Sequence, residues 1–528
     1  MAVRHDFGDL VFEYLRRLAT TGAAYTASSV LSKLIAVFLL PIYTSYLTPS
    51  DYGAAEVMLA SVIAASIVVR LGVIEAILRF YYLAGERPER VVSTGFASLF
   101  WGATVAAALA LPFAGPISQA LLDREDAGLA RLAILGLWTL TLYEYALTLL
   151  RLDERARAYF GITVANVLVT IPFTVWLIVV QDERASGILL GTFGTGAAFT
   201  IWMLWRQRSR LSLVPDVGLL RRMLRFGLPT MPAELSLYSL NFIDRIILVR
   251  LAGLAEAGLY ALAVKFAQGI NVLARGIQLA WPPLAYSIQD DEEARRAYSV
   301  IITWFAVVLA FGVTGLWLEA RWIVRLLAAP EFFASYEAVG LLATGIALYA
   351  LYLAMVVILG RTGRTEFSFP PTIAAMATNI VLNLVLVPSL DIVGAGLALI
   401  ASYLVVLVLM YVFTQRLFPV PYEWRRLALV VLCAAGLIGA GEAFLPTSGL
   451  VGLASRTAVW LAYPAVLYAM GFLHEEERSR LVALLRPSAI AARARTLRTA
   501  SAPGGAEGTG LGPEVYEVAA RDEDRGGA

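Results

Sequence analysis

The sequence has 528 residues, 59% of them hydrophobic and 16% charged, with a mean hydropathy of +0.72, a balance that requires lipid rather than water as solvent. The net charge of +2 discriminates little, because in a membrane chain the placement of basic residues carries the information. Scarcity excludes more: the only lysines are Lys33 and Lys265, the only histidines His5 and His474, and the only cysteine Cys433. These leave no Gly-Lys-Ser/Thr phosphate loop, no histidine zinc site, no Cys-His nucleophile and no disulfide framework, so neither ATP hydrolysis nor a cofactor is expected.

Residues 1–20 alternate acidic and basic groups without an apolar core and cleavage site, and read as a cytoplasmic lead-in. With about 20 apolar residues needed per crossing, fourteen helices follow. Six lie near 21–47, 55–82, 92–116, 128–150, 159–180 and 185–205, an N-lobe over 21–205. An arginine-rich linker, 206–225, leads to a C-lobe over 226–415 with spans near 226–252, 256–285, 297–318, 336–360, 369–390 and 393–415. A C-terminal pair near 427–445 and 451–473 fills 427–473. An Arg-spaced amphipathic segment, 474–500, suits an anionic leaflet, and the Gly-, Ala- and Glu-rich tail 501–528 is expected to be disordered.

Basic residues test this count, because short cytoplasmic loops keep them. One face receives Arg16 and Arg17, Arg87 and Arg90, Arg151, Arg155 and Arg157, the linker arginines, Arg361 and Arg364, Arg425 and Arg426, and the tail from Arg478. The other face receives Thr48 to Asp51, Asp123 to Asp126, Gln181 to Arg184 and Asp391. Both termini are therefore expected in the cytoplasm. A short internal match aligns Asp51 with Glu256, Gly53 with Gly258 and Arg70 with Arg275, as parallel repeats around a cleft would.

Each charge at the bilayer centre costs about 2.5–3.5 kcal/mol on insertion scales, so retained ones need partners or water. The predicted spans keep Lys33, Arg70, Glu75, Glu234, Asp244, Arg245, Lys265 and Arg275. Read functionally, Lys33, Arg70, Arg245, Lys265 and Arg275 form a cationic cavity for a phosphate-bearing headgroup, arginine offering a planar fork of donors and lysine a compact charge. Asp244, Glu234 and Glu75 are then candidates to carry a coupling ion. Read structurally, Asp244 pairs with Lys265, Glu234 with Arg275, and Glu75 with Arg79. Asn379 and Asn383, one turn apart, favour hydrogen bonding between helices, Cys433 a core role, and Pro41, Pro172 and Pro229 kinks.

Several strings resemble the polysaccharide biosynthesis, or oligosaccharide flippase, family of the multidrug/oligosaccharidyl-lipid/polysaccharide exporter superfamily. They are Leu39 to Gly53 (LLPIYTSYLTPSDYG), Ile77 to Tyr82 (ILRFYY), Phe226 to Pro229 (FGLP), Asp244 to Leu248 (DRIIL), Gly258 to Tyr260 (GLY), Asn379 to Pro388 (NIVLNLVLVP) and Gly394 to Gly396 (GAG). The resemblance implies an all-α, fourteen-helix, two-lobe fold of the multidrug-exporter type in the bacterial cytoplasmic membrane. It further implies export of an undecaprenyl-diphosphate-linked oligosaccharide by alternating access, driven by an ion gradient, for surface polysaccharide of the O-antigen or lipopolysaccharide kind. Expected partners are that lipid-linked sugar, membrane lipids, and polymerase and glycosyltransferase machinery, with no nucleic acid. The family has no shared catalytic residue to carry over.

Two other readings stand beside it. An ion-coupled multidrug or metabolite antiporter of the same superfamily would favour acidic cavity residues, which the basic ones here at least balance. A membrane-embedded polysaccharide polymerase or ligase would need a long external loop, and no predicted loop is long enough. A scaffold would have no reason to retain so many charges within spans.

Overall fold

The computed structural model describes residues 39–82, 87–239 and 242–473, and every regular element among them is helical. In hydrocarbon each backbone amide and carbonyl must be satisfied within the chain, which makes the helix the simplest spanning form. The lead-in, Lys33, most of the first predicted span, the 474–500 segment and the tail lie outside the described residues. Residues up to Leu467 gather into one unit, and Tyr468 onward into a second.

Chain order starts with α1 (Leu40–Tyr46), which has Pro41 in its first turn, and α2 (Pro49–Arg70). Thr48 accepts the Asp51 amide at 3.2 Å to cap α2, and the left-handed Leu71 (φ 50°) and Gly72 (φ 68°) end it before α3 (Val73–Phe80). Next come α4 (Pro88–Ala110), α5 (Ala114–Leu122), α6 (Ala127–Leu152), α7 (Ala156–Val179) and α8 (Arg184–Arg206). Pro172 sits inside α7 without ending it.

The linker folds as α9 (Val217–Gly227), capped by Asp216, whose carboxyl is held below the usual range first by the Leu219 amide and then by Arg90. The second half contains α10 (Met231–Ser239), α11 (Ile243–Leu251), α12 (Leu254–Ala267), α13 (Gly269–Ser287), α14 (Asp291–Leu327), α15 (Tyr336–Thr362) and α16 (Phe369–Leu417). The chain continues through α17 (Trp424–Phe444), α18 (Gly449–Leu461) and α19 (Tyr463–Ala469).

The protein is an all-helical, multi-pass membrane protein. Among the described residues, ten helical segments are long and apolar enough to cross a membrane, or eleven if α18 and α19, bent by 43°, count as one. Three features separate this from the predicted fourteen. Most of the first span is undescribed, and the seventh is divided into α10 and α11, entered through a tight turn at Leu228–Thr230 that contains Pro229. The eleventh and twelfth run together as the 49-residue α16.

At 1.5 Å per residue, α16 drawn straight would reach about 74 Å, more than twice the hydrocarbon thickness. It is not straight, because Asp391 has φ 45° and ψ −127°. A Cβ on Gly394 would lie 2.6 Å from the Leu386 carbonyl oxygen, whereas eight residues of continuous helix span about 12 Å. The chain therefore doubles back at Asp391. Its two halves run antiparallel beside α15, with Thr372 facing Tyr352 near one end and Gly396 against Leu341 near the other.

Charge also anchors the C-terminal helices. Glu442 of α17 accepts from Arg321 of α14 at 2.8 Å and from the fully buried Arg456 of α18 at 2.5 Å, and the Trp460 indole donates to the Phe311 carbonyl at 3.0 Å. Cys433 is a buried core residue near the Tyr463 carbonyl.

Gly394→Ala is expected to cost about 1–3 kcal/mol by overpacking the α16 reversal. Thermal unfolding in detergent checks it against Gly436→Ala, where the added methyl meets nothing within 4 Å and no loss is expected.

Candidate functional site

Of the charged residues predicted within spans, Arg70, Glu234, Arg245 and Lys265 converge on one seam, where α2 meets α10, α11 and α12. The seam begins with an approach of backbones that only glycine allows: a Cβ on Gly53 would lie 2.2 Å from the Leu254 carbonyl oxygen, and one on Gly258 would lie 2.0 Å from that of Pro49. The two glycines aligned as repeat equivalents thus sit on one another. Contacts nearby seal this arginine-poor end further. Arg250 donates to Asp123 at 2.6 Å and to the Gln119 and Ala120 carbonyls, and the Ala329 amide donates to Thr44 at 2.9 Å.

One turn in from Gly53, Glu56 is 5% exposed and receives two cations from the other half of the chain. Lys265 lies 2.9 Å from one carboxylate oxygen, and Arg245 lies 3.3 Å from the other while also donating to the Glu56 carbonyl at 3.2 Å. This cluster carries one surplus positive charge, and the Arg245 Nε has no hydrogen-bond partner among the described residues. Further along α2, the Tyr238 hydroxyl donates to the Ala60 carbonyl at 3.1 Å.

A second cluster lies fourteen residues on from Glu56, about 21 Å along α2. Arg70, 8% exposed, donates from Nε to the Ser66 carbonyl at 3.2 Å, from one terminal nitrogen to Glu144 of α6, and from the other to Glu234 of α10 at 3.0 Å. Two carboxylates on one guanidinium leave this end with surplus negative charge. The seam loosens here, the Glu144 and Glu234 side chains being 34% and 40% exposed; Arg275, on α13, is exposed and takes no part in either cluster. Gly72 and Gly227 meet backbone to backbone at the same end, docking α9 where α10 begins.

Asp244 neighbours Arg245 in sequence but turns into its own half of the chain. Its carboxylate, fully buried, accepts the Tyr260 hydroxyl at 2.7 Å and the Asn383 amide at 2.9 Å. The side-chain oxygens of Asn379 and Asn383 are buried without hydrogen-bond partners among the described residues. A carboxylate and spare amide oxygens in one dry place form a donor set suited to a proton or a hard cation.

The ion pairs differ from those expected. Asp244 meets Tyr260 and Asn383 rather than Lys265, Lys265 meets Glu56, and Glu234 meets Arg70 rather than Arg275. Arg79 stacks over the Phe226 ring at 4.4 Å instead of pairing with Glu75. The expected balance also needs correction, because the cations of the seam are not free: Glu56 and Glu144 engage them. Neither carboxylate was singled out from the sequence, though Glu144 falls inside the fourth predicted span and Glu56 at the start of the second. Counting every charge within the spans finds both.

The family profile described as polysaccharide biosynthesis protein matches residues 44–335, more than half of the chain and the whole of this seam except Asn379 and Asn383. The chain belongs to the polysaccharide biosynthesis protein family. Among its relatives is the succinoglycan biosynthesis transport protein ExoT of Rhizobium meliloti (strain 1021), 25% identical over 331 residues. That alignment covers 60% of this chain and 64% of the relative's length.

Among solved structures, the lipid II flippase MurJ in an inward closed conformation superposes with a TM-score of 0.68 at 10% identity, over 86% of this chain and all of that one. An inward-facing multidrug resistance MATE family transporter of the MOP superfamily superposes with a TM-score of 0.60 at 16% identity, over 75% of this chain and 95% of that one. These likenesses establish the fold of this family member. The similar proteins are themselves described as a transport protein, a flippase and a transporter.

Glu56→Gln leaves the largely buried Arg245 and the one-third-exposed Lys265 without their carboxylate, and a loss of about 1–3 kcal/mol is expected, below that of a fully buried pair. Thermal unfolding checks it, and Glu56→Gln combined with Arg245→Gln should recover part of the loss.

Proposed function

We propose that this protein flips an undecaprenyl-diphosphate-linked oligosaccharide from the inner to the outer leaflet of a bacterial cytoplasmic membrane by alternating access, both termini lying in the cytoplasm. The N-lobe (21–205) and C-lobe (226–415) then rock about the seam, with 206–225 as linker and 427–473 as the flanking pair. The observation that carries this reading is the sharing of Glu56 between Arg245 and Lys265. It places a surplus positive charge across the lobe boundary, where a diphosphate can compete for both cations.

A diphosphate and its glycan cannot enter hydrocarbon unaided, whereas a polyprenyl tail can remain there. Lys33, Arg70, Arg245, Lys265 and Arg275 are the proposed headgroup contacts. Phosphate oxygens that take Arg245 and Lys265 from Glu56 would weaken the latch between lobes, so binding and opening become one event. Similarity in sequence to a succinoglycan biosynthesis transport protein and in fold to a lipid II flippase supports the same class of cargo. Polymerase and glycosyltransferase machinery would act before and after the step.

Asp244, with the oxygens of Asn379 and Asn383, is the proposed site for a coupling ion, proton or sodium. Glu234 and Glu75 complete the acidic set toward the arginine-rich end. The competing reading, an ion-coupled antiporter for cationic drugs or metabolites, draws on the surplus carboxylate at Arg70.

Reconstituted vesicles containing a fluorescent polyprenyl-diphosphate sugar separate the two. Arg245→Ala with Lys265→Ala should reduce flipping by roughly tenfold or more while leaving insertion intact, the loss expected for charge-assisted bonds of about 1.5–3 kcal/mol each. Unchanged flipping, or transport of organic cations that survives the double change, contradicts the assignment. Asp244→Asn should leave the flipping rate indifferent to an imposed sodium or proton gradient. A gradient response equal to that of the unmodified protein removes Asp244 from coupling.

A further inference from the structure

Away from the lobe seam, on the arginine-rich face, a cavity of about 450 Å³ opens where the ends of α6, α7 and α8 meet. It is lined by the exposed Arg155 and Arg206, by Ile162, Trp202 and Met203, and by Gln207. Neither arginine makes an ion pair among the described residues, and none of the residues lining the cavity is acidic. The neighbouring Asp153 is already held by one terminal nitrogen of Arg210, which donates to both carboxylate oxygens at 2.9 and 3.0 Å, and Glu154, next to Arg155, does not line the cavity.

Three further features make this a built site rather than a basic patch. Arg155 stands at the N-cap of α7, and no side chain caps that helix. The first-turn amides of a helix lack partners within it, and Ala158 of that first turn lines the cavity, which brings the positive end of the helix dipole to it. The Arg206 guanidinium lies 5.6 Å over the Trp202 ring, a stack that restrains its fork while leaving its donors free. The Gln207 side-chain oxygen is buried with no hydrogen-bond partner among the described residues, an acceptor waiting for a donor.

We propose that this cavity binds the phosphate of a membrane lipid in the leaflet at the arginine-rich face. Arg155, Arg206 and the α7 amides hold the phosphate oxygens, and a hydroxyl next to the phosphate donates to the Gln207 oxygen. Ile162, Trp202 and Met203 receive the first methylenes of the tail. The volume falls within the range of about 300–1,000 Å³ typical of small-molecule pockets. Basic pockets between helix ends on one membrane face are a recurrent form of anionic lipid site. Two lipids carry such a phosphate: phosphatidylglycerol, a bulk phospholipid whose glycerol hydroxyls suit the Gln207 oxygen, and a polyprenyl phosphate, the lipid carrier of the proposed cargo without its sugar, which would be held by the arginines and amides alone. The site is independent of the lobe seam, and its test reads lipid retention rather than flipping.

The full-length protein, stripped of lipid in detergent, is offered defined lipids and weighed intact by native mass spectrometry. Unmodified protein should retain phosphatidylglycerol in preference to phosphatidylcholine. Arg155→Gln with Arg206→Gln should reduce that retention about tenfold or more, the loss of two charge-assisted contacts. Arg221→Gln with Arg225→Gln, elsewhere on the same face, should not. Gln207→Leu keeps both charges and should erase the preference for phosphatidylglycerol over phosphatidylmethanol, which lacks the hydroxyls.

Displacement of phosphatidylglycerol by undecaprenyl phosphate at equal concentration assigns the site to the carried lipid. Failure to displace it assigns the site to bulk phospholipid. Equal retention in the Arg155/Arg206 variant and the unmodified protein overturns the proposal, as does an equal loss in the Arg221/Arg225 control.

Discussion

A charge held inside a bilayer must be met by an opposite charge, and in this protein the partner often belongs to the other half of the molecule. Glu56 on α2 is neutralised by Arg245 and Lys265, and Arg70 on the same helix is shared with Glu234. Separating the halves would leave these groups orphaned in a medium of low dielectric, at a cost of several kcal/mol for each broken buried pair. The seam can therefore open only when water or a ligand replaces the lost partner. Glycine sets where this constraint acts, because the close approach of Gly53 and Gly258 brings α2 and α12 together next to the Glu56–Lys265 pair.

The adjacency of Asp244 and Arg245 places the two proposed roles, ion site and latch, on one turn of α11. Arg245 reaches across the seam to Glu56, whereas Asp244 is held within its own half by Tyr260 of α12 and Asn383 of α16. An ion taken up at Asp244 would act on the helix that carries the latch. A cargo phosphate that releases Arg245 would in turn act on the helix that carries the ion site. Reciprocity of this kind is what linkage requires of any two sites that share a conformational equilibrium.

The sequence disclosed the membrane class, the order of the helices and most charged positions of the seam, because apolar length and intramembrane charge are local signals. The hairpin at Asp391 was legible as two spans, since Pro388 and a lone polar residue interrupt the apolar run there. The partners were not legible. Pairing Asp244 with Lys265 assumed that neighbouring helices neutralise one another, whereas the actual partner of Lys265 comes from a helix about 200 residues earlier, and no periodicity reports that. Glu144 escaped notice as a single carboxylate within an otherwise apolar span, and Arg456 and Glu442 escaped because the C-terminal helices were judged by hydropathy alone. Lys33, a site residue on sequence grounds, lies outside the described residues.

The central claim is that the two halves rock about the α2 seam, so that one end closes as the other opens. Electron-spin distance measurements test it in the full-length protein with Cys433 replaced by Ser, using spin-label pairs at Thr48 and Ala255 on the arginine-poor end and at Tyr82 and Leu228 on the arginine-rich end. Adding a polyprenyl-diphosphate sugar should lengthen one distance distribution while shortening the other. Distances that do not respond to the lipid-linked sugar, or that lengthen together at both ends, would contradict the account.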